Sequence, residues 1–214
     1  VSPLRLAVLI SGRGSNLLAI ADACRSGALQ ARIVLVASDR VAPGIDAARD
    51  RGLATAVVAA RDFADRPAHD DAMRAAIDAS SADVVVLAGY MRILTDSFVA
   101  HYHGRLLNIH PSLLPHHKGL HTHRRVLAAG DPEHGASVHY VTAELDGGPV
   151  VLQARVPVLH DDTEATLSAR VQACEHRIYP TVLQWIASGR LVYRHGPMLD
   201  GEPLQTPRQE ACLG

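Results

Sequence analysis

Residues 4–10 form an apolar run, broken only by Arg5, that stops at Ser11-Gly12-Arg13-Gly14-Ser15-Asn16, and an amphipathic stretch follows over 17–24. A short continuous apolar run marks a strand covered on both faces, and apolar positions recurring every three or four residues mark a helix. The alternation recurs along the first half: strand 31–37, helix 44–51 closed by Gly52, strand 55–58, helix 69–79, strand 84–88. Strands alternating with helices in this way predict a parallel sheet with helices on both faces. In the second half the pattern predicts strands over 106–110, 137–141 and 150–158, the last entered through Gly147-Gly148-Pro149.

A late helix starts near Asp161, with Asp161 and Glu164 in the spacing of a capping box. Its apolar stripe runs Leu167, Val171, Cys174, Ile178, Val182, Trp185, and Pro180 should kink or split it. After Gly189 the chain reads as a short hairpin, and the last ten residues as loose. The fold class is α/β: a Rossmann-like, open, mostly parallel twisted sheet with an antiparallel element in its C-terminal half. No repeat or linker interrupts it. Residues 1–190 are expected to form a single domain, with a phosphate- or nucleotide-binding half (1–101), a second half carrying the chemistry (102–190) and a tail (191–214).

Composition narrows the partners. A chain of 214 residues with 48% hydrophobic and 20% charged residues is ordinary for a globular protein. It should bury roughly 70% of its unfolded surface, enough to fold without a metal or disulfide. Net charge of −1 and 4% aromatic residues argue against nucleic acid. Cys24, Cys174 and Cys212 are scattered with no CxxC, which predicts no disulfide framework and a reducing compartment. With no signal-peptide pattern and no apolar run near 18 residues, the expectation is a cytoplasmic protein that avoids membranes and acts on small molecules. Lys118 is the only lysine, so a Schiff base is excluded everywhere else.

Two places carry chemistry. Gly12-x-Gly14-Ser15-Asn16 lies between a strand and a helix N-terminus, where backbone N–H groups and the macrodipole favour an anion. Ser15 or Asn16 would cap the helix. Leu17 stands where a dinucleotide fingerprint wants its third glycine, and no Gly-Lys-Ser/Thr is present, so a single phosphate monoester suits the loop best. A glycine turn without a ligand stays open on these residues alone.

The other place is Asn108-Ile109-His110, which should end a strand with the Asn108 and His110 side chains on one side, because Pro111 breaks the ladder. Ligands of open α/β sheets bind at that strand end. An amide beside an imidazole can donate two hydrogen bonds to a developing oxyanion. Asp146, in the turn Glu144-Leu145-Asp146-Gly147-Gly148, can reach the imidazole and favour its charged form. Ordinary turn and strand-end roles for all three remain the alternative. His116, His117, His121 and His123 invite a metal reading, but their loop has no Cys or carboxylate at ligand spacing, so no metal is expected.

SGRGSN at 11–16, LAGYMRIL at 87–94, NIHPSLLP at 108–115, GLHTHR at 119–124 and HGASVHYVTAELDGGPVV at 134–151 stand in order and spacing. Together they resemble the phosphoribosylglycinamide formyltransferases, a folate-dependent family of purine biosynthesis, over roughly residues 4–190. The resemblance implies formyl transfer from 10-formyltetrahydrofolate, as co-substrate and without metal, to the amine of glycinamide ribonucleotide (GAR). It implies Asn108, His110 and Asp146 as catalytic, Gly14, Ser15 and Asn16 on the substrate phosphate, and Glu175 on the ribose. Folate contacts would come from Arg66, from Met91, Arg92, Ile93 and Leu94, from Asn108, and from Thr142, Ala143, Glu144 and Asp146. Leu87 and Met91 are read first as core side chains. A monomer or weak homodimer is expected. Arg13, His117-Lys118 and Ala143 depart from the family's usual residues. A formyltetrahydrofolate hydrolase, another folate-dependent formyltransferase, and a non-catalytic phosphate- or nucleotide-binding module are the competing readings.

Overall fold

A computed structural model describes residues 2–212. The first half follows the predicted alternation: β1 (Leu4–Ile10), α1 (Ser15–Ser26), β2 (Ala31–Ser38), α2 (Pro43–Arg49), β3 (Thr55–Val57), α3 (Arg66–Ser80) and β4 (Val84–Leu87). Then come α4 (Asp96–His101), β5 (Leu106–His110), α5 (Thr122–Ala129), β6 (Glu133–Tyr140), β7 (Val150–Pro157) and α6 (Glu164–Ala187). The chain closes with β8 (Leu191–Tyr193), β9 (Pro197–Leu199), β10 (Glu202–Pro203) and β11 (Arg208–Ala211).

Eight strands form one sheet in the order β11-β7-β6-β5-β4-β1-β2-β3. The run from β3 to β5 is parallel, and β6 pairs antiparallel with both β5 and β7. Strands β1 and β4 are buried on both faces, which explains their lack of alternation. Leu6, Val8 and Ile10 pack toward the cluster that includes α1 and α6, while Ala7 and Leu9 pack toward the cluster that includes α3 and α4.

Helices α4 and α5, of six and eight residues, were not predicted. Strand β6 begins at Glu133, four residues before the predicted start.

Four expectations about the C-terminal part are corrected. Thr163, not Asp161, caps α6: its hydroxyl accepts from the Thr166 N–H at 3.2 Å, and the Thr166 hydroxyl accepts from the Thr163 N–H at 2.9 Å. Pro180 does not split the helix. Tyr179, Val182 and Leu183 around it are fully buried, and that burial outweighs a proline penalty of about 3 kcal/mol. The Tyr179 hydroxyl, shared between Leu87 O and Leu107 O at 3.0 and 3.1 Å, fixes α6 on the sheet.

The described part of the last ten residues is ordered. β11 pairs in parallel with β7, from Arg208↔Leu152 to Ala211↔Arg155, and covers an edge that would otherwise expose unpaired backbone. An Arg177–Glu210 ion pair and a Cys174–Cys212 disulfide, with Cα atoms 6.0 Å apart, tie it to α6. The expectation of no disulfide is therefore overturned. The two cysteines are 38 residues apart in sequence and meet only because β11 returns to the sheet. No helix among the described residues is long and apolar enough to cross a membrane.

Candidate active site

The glycine loop sits where β1 hands over to α1. Gly14 is the N-cap with φ of 74°, a left-handed conformation that suits glycine. The loop is backed by α2, whose Gly44 N–H donates to Gly12 O at 3.0 Å. A Cβ on Gly44 would stand 2.8 Å from that same oxygen, so only glycine allows this approach. Ser15 and Asn16 do not cap the helix, contrary to expectation. The first backbone bond runs from Leu18 N–H to Gly14 O, which leaves the N–H groups of the opening turn for an anion.

The Ser15 and Asn16 side chains turn toward α6 instead. Asn16 Nδ2 donates to Glu175 Oε2 at 2.7 Å, and Gln172 Nε2 donates to Ser15 Oγ at 3.1 Å. Glu175 is buried, and burial pushes its carboxyl up to about 7 against the lowering effect of the Asn16 bond. Asn16 Oδ1 is buried without a partner among the described residues. Polar atoms on α1 and α6 thus face each other beside the opening turn of α1.

Across the sheet, Asn108 and His110 lie at the end of β5, opposite His139 and Ser137 of β6. Asp146, at φ of 49° in the β6–β7 turn, reaches back over them. Its Oδ2 lies 3.5 Å from His110 Nδ1, and its Oδ1 lies 3.8 Å from His139 Nε2. His110 Nε2 donates to His117 O at 3.0 Å. Both His110 nitrogens therefore face oxygen acceptors. Sequence and structure agree on bringing Asn108, His110 and Asp146 together.

His139 joins them unpredicted. Its Nδ1 lies 2.9 Å from Tyr140 O and its Nε2 lies 3.1 Å from Asn108 Nδ2. Burial pushes this imidazole down, toward the neutral form, despite the raising effects of the Tyr140 carbonyl and Asp146. A neutral ring protonated at Nδ1 must accept at Nε2, so it fixes which end of the Asn108 amide faces it.

The loop after β5 folds down on this cluster. Gly119 N–H donates to Asp146 Oδ2 at 2.9 Å, and Lys118 Nζ donates to Glu144 Oε1 at 2.6 Å. Other histidines of the region are structural: His117 pairs with Asp131 at 2.6 Å, and His123 with His134 at 2.9 Å. Burial, with His123 and His117 nearby, pushes His134 down to about 4. No group of three or more His, Cys, Asp or Glu side chains able to hold a metal occurs among the described residues.

Between the two places runs the segment after β4. The Met91 N–H donates to Ser11 Oγ at 2.9 Å, joining this segment to the glycine loop. Met91 is 66% exposed, so it is not a core residue, whereas Leu87 is buried as expected. Ile93 and Leu145 are exposed too, and Arg92 Nε is buried without a partner among the described residues. Leu94 packs at the edge of the core. Thr142 is half-buried, with its hydroxyl on Glu144 O at 3.4 Å, and Ala143 is exposed. Arg66 stands exposed at the first turn of α3 and makes no ion pair among the described residues.

Residues 4–183 match the family described as Formyl transferase. The chain belongs to the formyl transferase family. Within that family it is 53% identical to the phosphoribosylglycinamide formyltransferase of Escherichia coli (strain K12), over 94% of this chain and 96% of that protein. It is 45% identical to part of the human trifunctional purine biosynthetic protein adenosine-3, over 86% of this chain and 18% of that longer protein. A solved structure of the phosphoribosylglycinamide formyltransferase of Coxiella burnetii superposes with a TM-score of 0.93 at 47% identity, covering 97% of this chain and 99% of the other. As a formyl transferase, the chain has a glycine loop and a β5 cluster at the same strand-end face of the sheet. Sequence reasoning missed Gln172 and His139. Gln172 stands one helical turn before Glu175, and His139 alternates with Ser137 on β6, so both had a periodic signal.

Proposed function

We infer that this formyl transferase moves the formyl group of 10-formyltetrahydrofolate onto the amine of GAR in de novo purine synthesis, giving N-formylglycinamide ribonucleotide and tetrahydrofolate. The observation that carries this reading is the cluster of Asn108, His110 and Asp146 in a chain 53% identical to the E. coli enzyme over nearly its whole length. The opening turn of α1, with Gly14, Ser15 and Asn16, takes the nucleotide phosphate. Glu175 accepts hydrogen bonds from the ribose hydroxyls, beside Gln172. The residues fit a flat apolar donor: Met91, Ile93 and Leu145 expose apolar surface along the cleft, and Arg92 Nε is a donor without a partner among the described residues. Leu94, Thr142, Ala143 and Glu144 complete that wall, and Arg66 supplies a cation for the acidic tail of a folate.

The donor supplies an activated formyl carbon. The GAR amine attacks it, forming a C–N bond, and the former carbonyl oxygen becomes negative. Asn108 Nδ2 and His110 Nε2 donate to that oxygen, a placement in which preorganised donors lower the barrier most. Asp146 holds His110 charged and passes a proton from the attacking amine, through water, to the departing folate nitrogen. Residues 1–190 act as one domain with halves at 1–101 and 102–190. A cytoplasmic location and a monomer or weak homodimer belong to the same reading, and light scattering on the purified protein measures the latter.

The deciding assay supplies 10-formyltetrahydrofolate with and without GAR and no added metal. Formylated nucleotide should form only with GAR. Formate release independent of GAR would instead identify a hydrolase, and full dependence on zinc or iron would overturn the mechanism.

A further inference from the structure

Beneath the loop that covers His110 lies a second set of polar side chains, reaching from the loop to the C-terminal strand. Gln153 on β7 is 3% exposed. Its Nε2 donates to Leu114 O at 2.8 Å and to Ser137 Oγ at 2.9 Å, and its Oε1 accepts from Gln209 Nε2 at 2.9 Å. The Ser137 hydroxyl donates to Ser112 O at 2.6 Å and also accepts from the Leu114 N–H at 3.1 Å. Ser112 donates to His116 O at 2.7 Å. Gln209, the register partner of Gln153, is oriented in turn by Arg155 Nε, which donates to its Oε1 at 2.9 Å. Flipping either amide would set oxygen against oxygen and N–H against N–H, so the whole chain of bonds has one sense.

The geometry points to Gln209 as a positioning residue for formyl transfer, acting through Gln153 on the Pro111–His117 loop. Ser112 O, Leu114 N–H and Leu114 O turn into the protein interior, where each would be costly unpaired. Ser137 and Gln153 satisfy all three, and they thereby set the path of the loop. Next along that path, His117 places its carbonyl on His110 Nε2. Gln209 fixes the far end of the network from an exposed position on β11, outside the catalytic cluster. Partly satisfied buried networks lose their definition, so a change at Gln209 reaches the loop. This role rests on reading His110 as the group that meets the formyl oxygen.

Gln209→Glu and Gln209→Ala test it. The first keeps an acceptor for Arg155 but presents an oxygen to Gln153 Oε1, and the second removes the contact. In the formyl-transfer assay both variants should lose kcat by about three- to tenfold, the effect of one hydrogen bond. KM for GAR should stay at the wild-type value, because the phosphate turn and Glu175 lie apart from the loop. Backbone hydrogen exchange should rise at residues 112–117 with melting temperature nearly unchanged. Full kcat in both variants, with exchange at 112–117 unaltered, would overturn the role. So would a large loss of melting temperature with exchange rising across β7 and β11, which marks a merely structural contact. A wild-type protein that transfers no formyl group would overturn the reading of the site itself, and the positioning role with it.

Discussion

Asn108 Nδ2 and His139 Nε2 stand 3.1 Å apart across the antiparallel β5–β6 pair, and the amide can only be the donor. The direction is set because His139 Nδ1 is committed to Tyr140 O at 2.9 Å and burial keeps the ring neutral. One Asn108 N–H is thus engaged and the other is free for the reacting oxygen. The sheet itself, through its register, orients half of the proposed oxyanion site.

Replacing His139 with Phe should therefore cost turnover by about ten- to a hundredfold, through a lost acceptor and a misaligned amide. KM for GAR should hold. Steady-state kinetics checks this, and wild-type kcat in His139→Phe would rule the orienting role out.

Asp146→Asn keeps a side chain that tolerates the left-handed backbone at this position. Turnover should nevertheless fall by about a hundredfold or more, because the amide cannot hold a charge on His110 or take up a proton. Circular dichroism should report an unaltered fold. Activity near the wild-type level would exclude the proton-relay role.

Glu175 makes stability depend on pH in an unusual direction. Its carboxyl moves from an ordinary 4.5 up to about 7 on burial, so the folded protein holds this proton more tightly than the unfolded chain does. Stability from this residue is complete below about 4.5, declines as pH rises toward 7 and stays reduced above it. The loss is on the order of 3 kcal/mol. Glu175→Gln should remove that slope and melt higher than wild type at pH 8, while binding GAR more weakly. Urea denaturation at pH 5 and pH 8 reads the difference, and identical slopes in the two proteins would contradict the shift.

The Cys174–Cys212 link closes a 38-residue separation and should stabilise the fold by about 4 kcal/mol. Alkylation of the unfolded, unreduced protein should label Cys24 alone. Cys212→Ser should lower the urea midpoint by a corresponding amount. Labelling of all three cysteines would show the pair unjoined.

Most of the sheet was legible because its strands are buried on both faces and leave apolar runs such as residues 6–10. The site was legible where one short segment carried it: Gly14-Ser15-Asn16 and Asn108-Ile109-His110 each sit at a strand end. What stayed hidden depended on pairing between distant segments. β11 is Arg-Gln-Glu-Ala, with no apolar pattern, and is held by backbone bonds to β7 and by one disulfide. Thr163 rather than Asp161 caps α6, and Asp162 beside it pairs with Arg170, which holds that carboxyl well below its usual range. His139 had a periodic signal on β6, but its role emerged only from its register against Asn108.

The loop over β5 carries one more consequence. His117 O, Gly119 N–H and Lys118 Nζ occupy hydrogen-bonding positions on His110, Asp146 and Glu144. A ligand whose oxygen is to meet His110 must first evict the chain's own carbonyl. Measured affinity is then a difference between two occupants of one position, the ligand and the loop, rather than a sum of ligand contacts. The loop is in effect a tethered competitor, and the contact that competes is the single His117 carbonyl on His110.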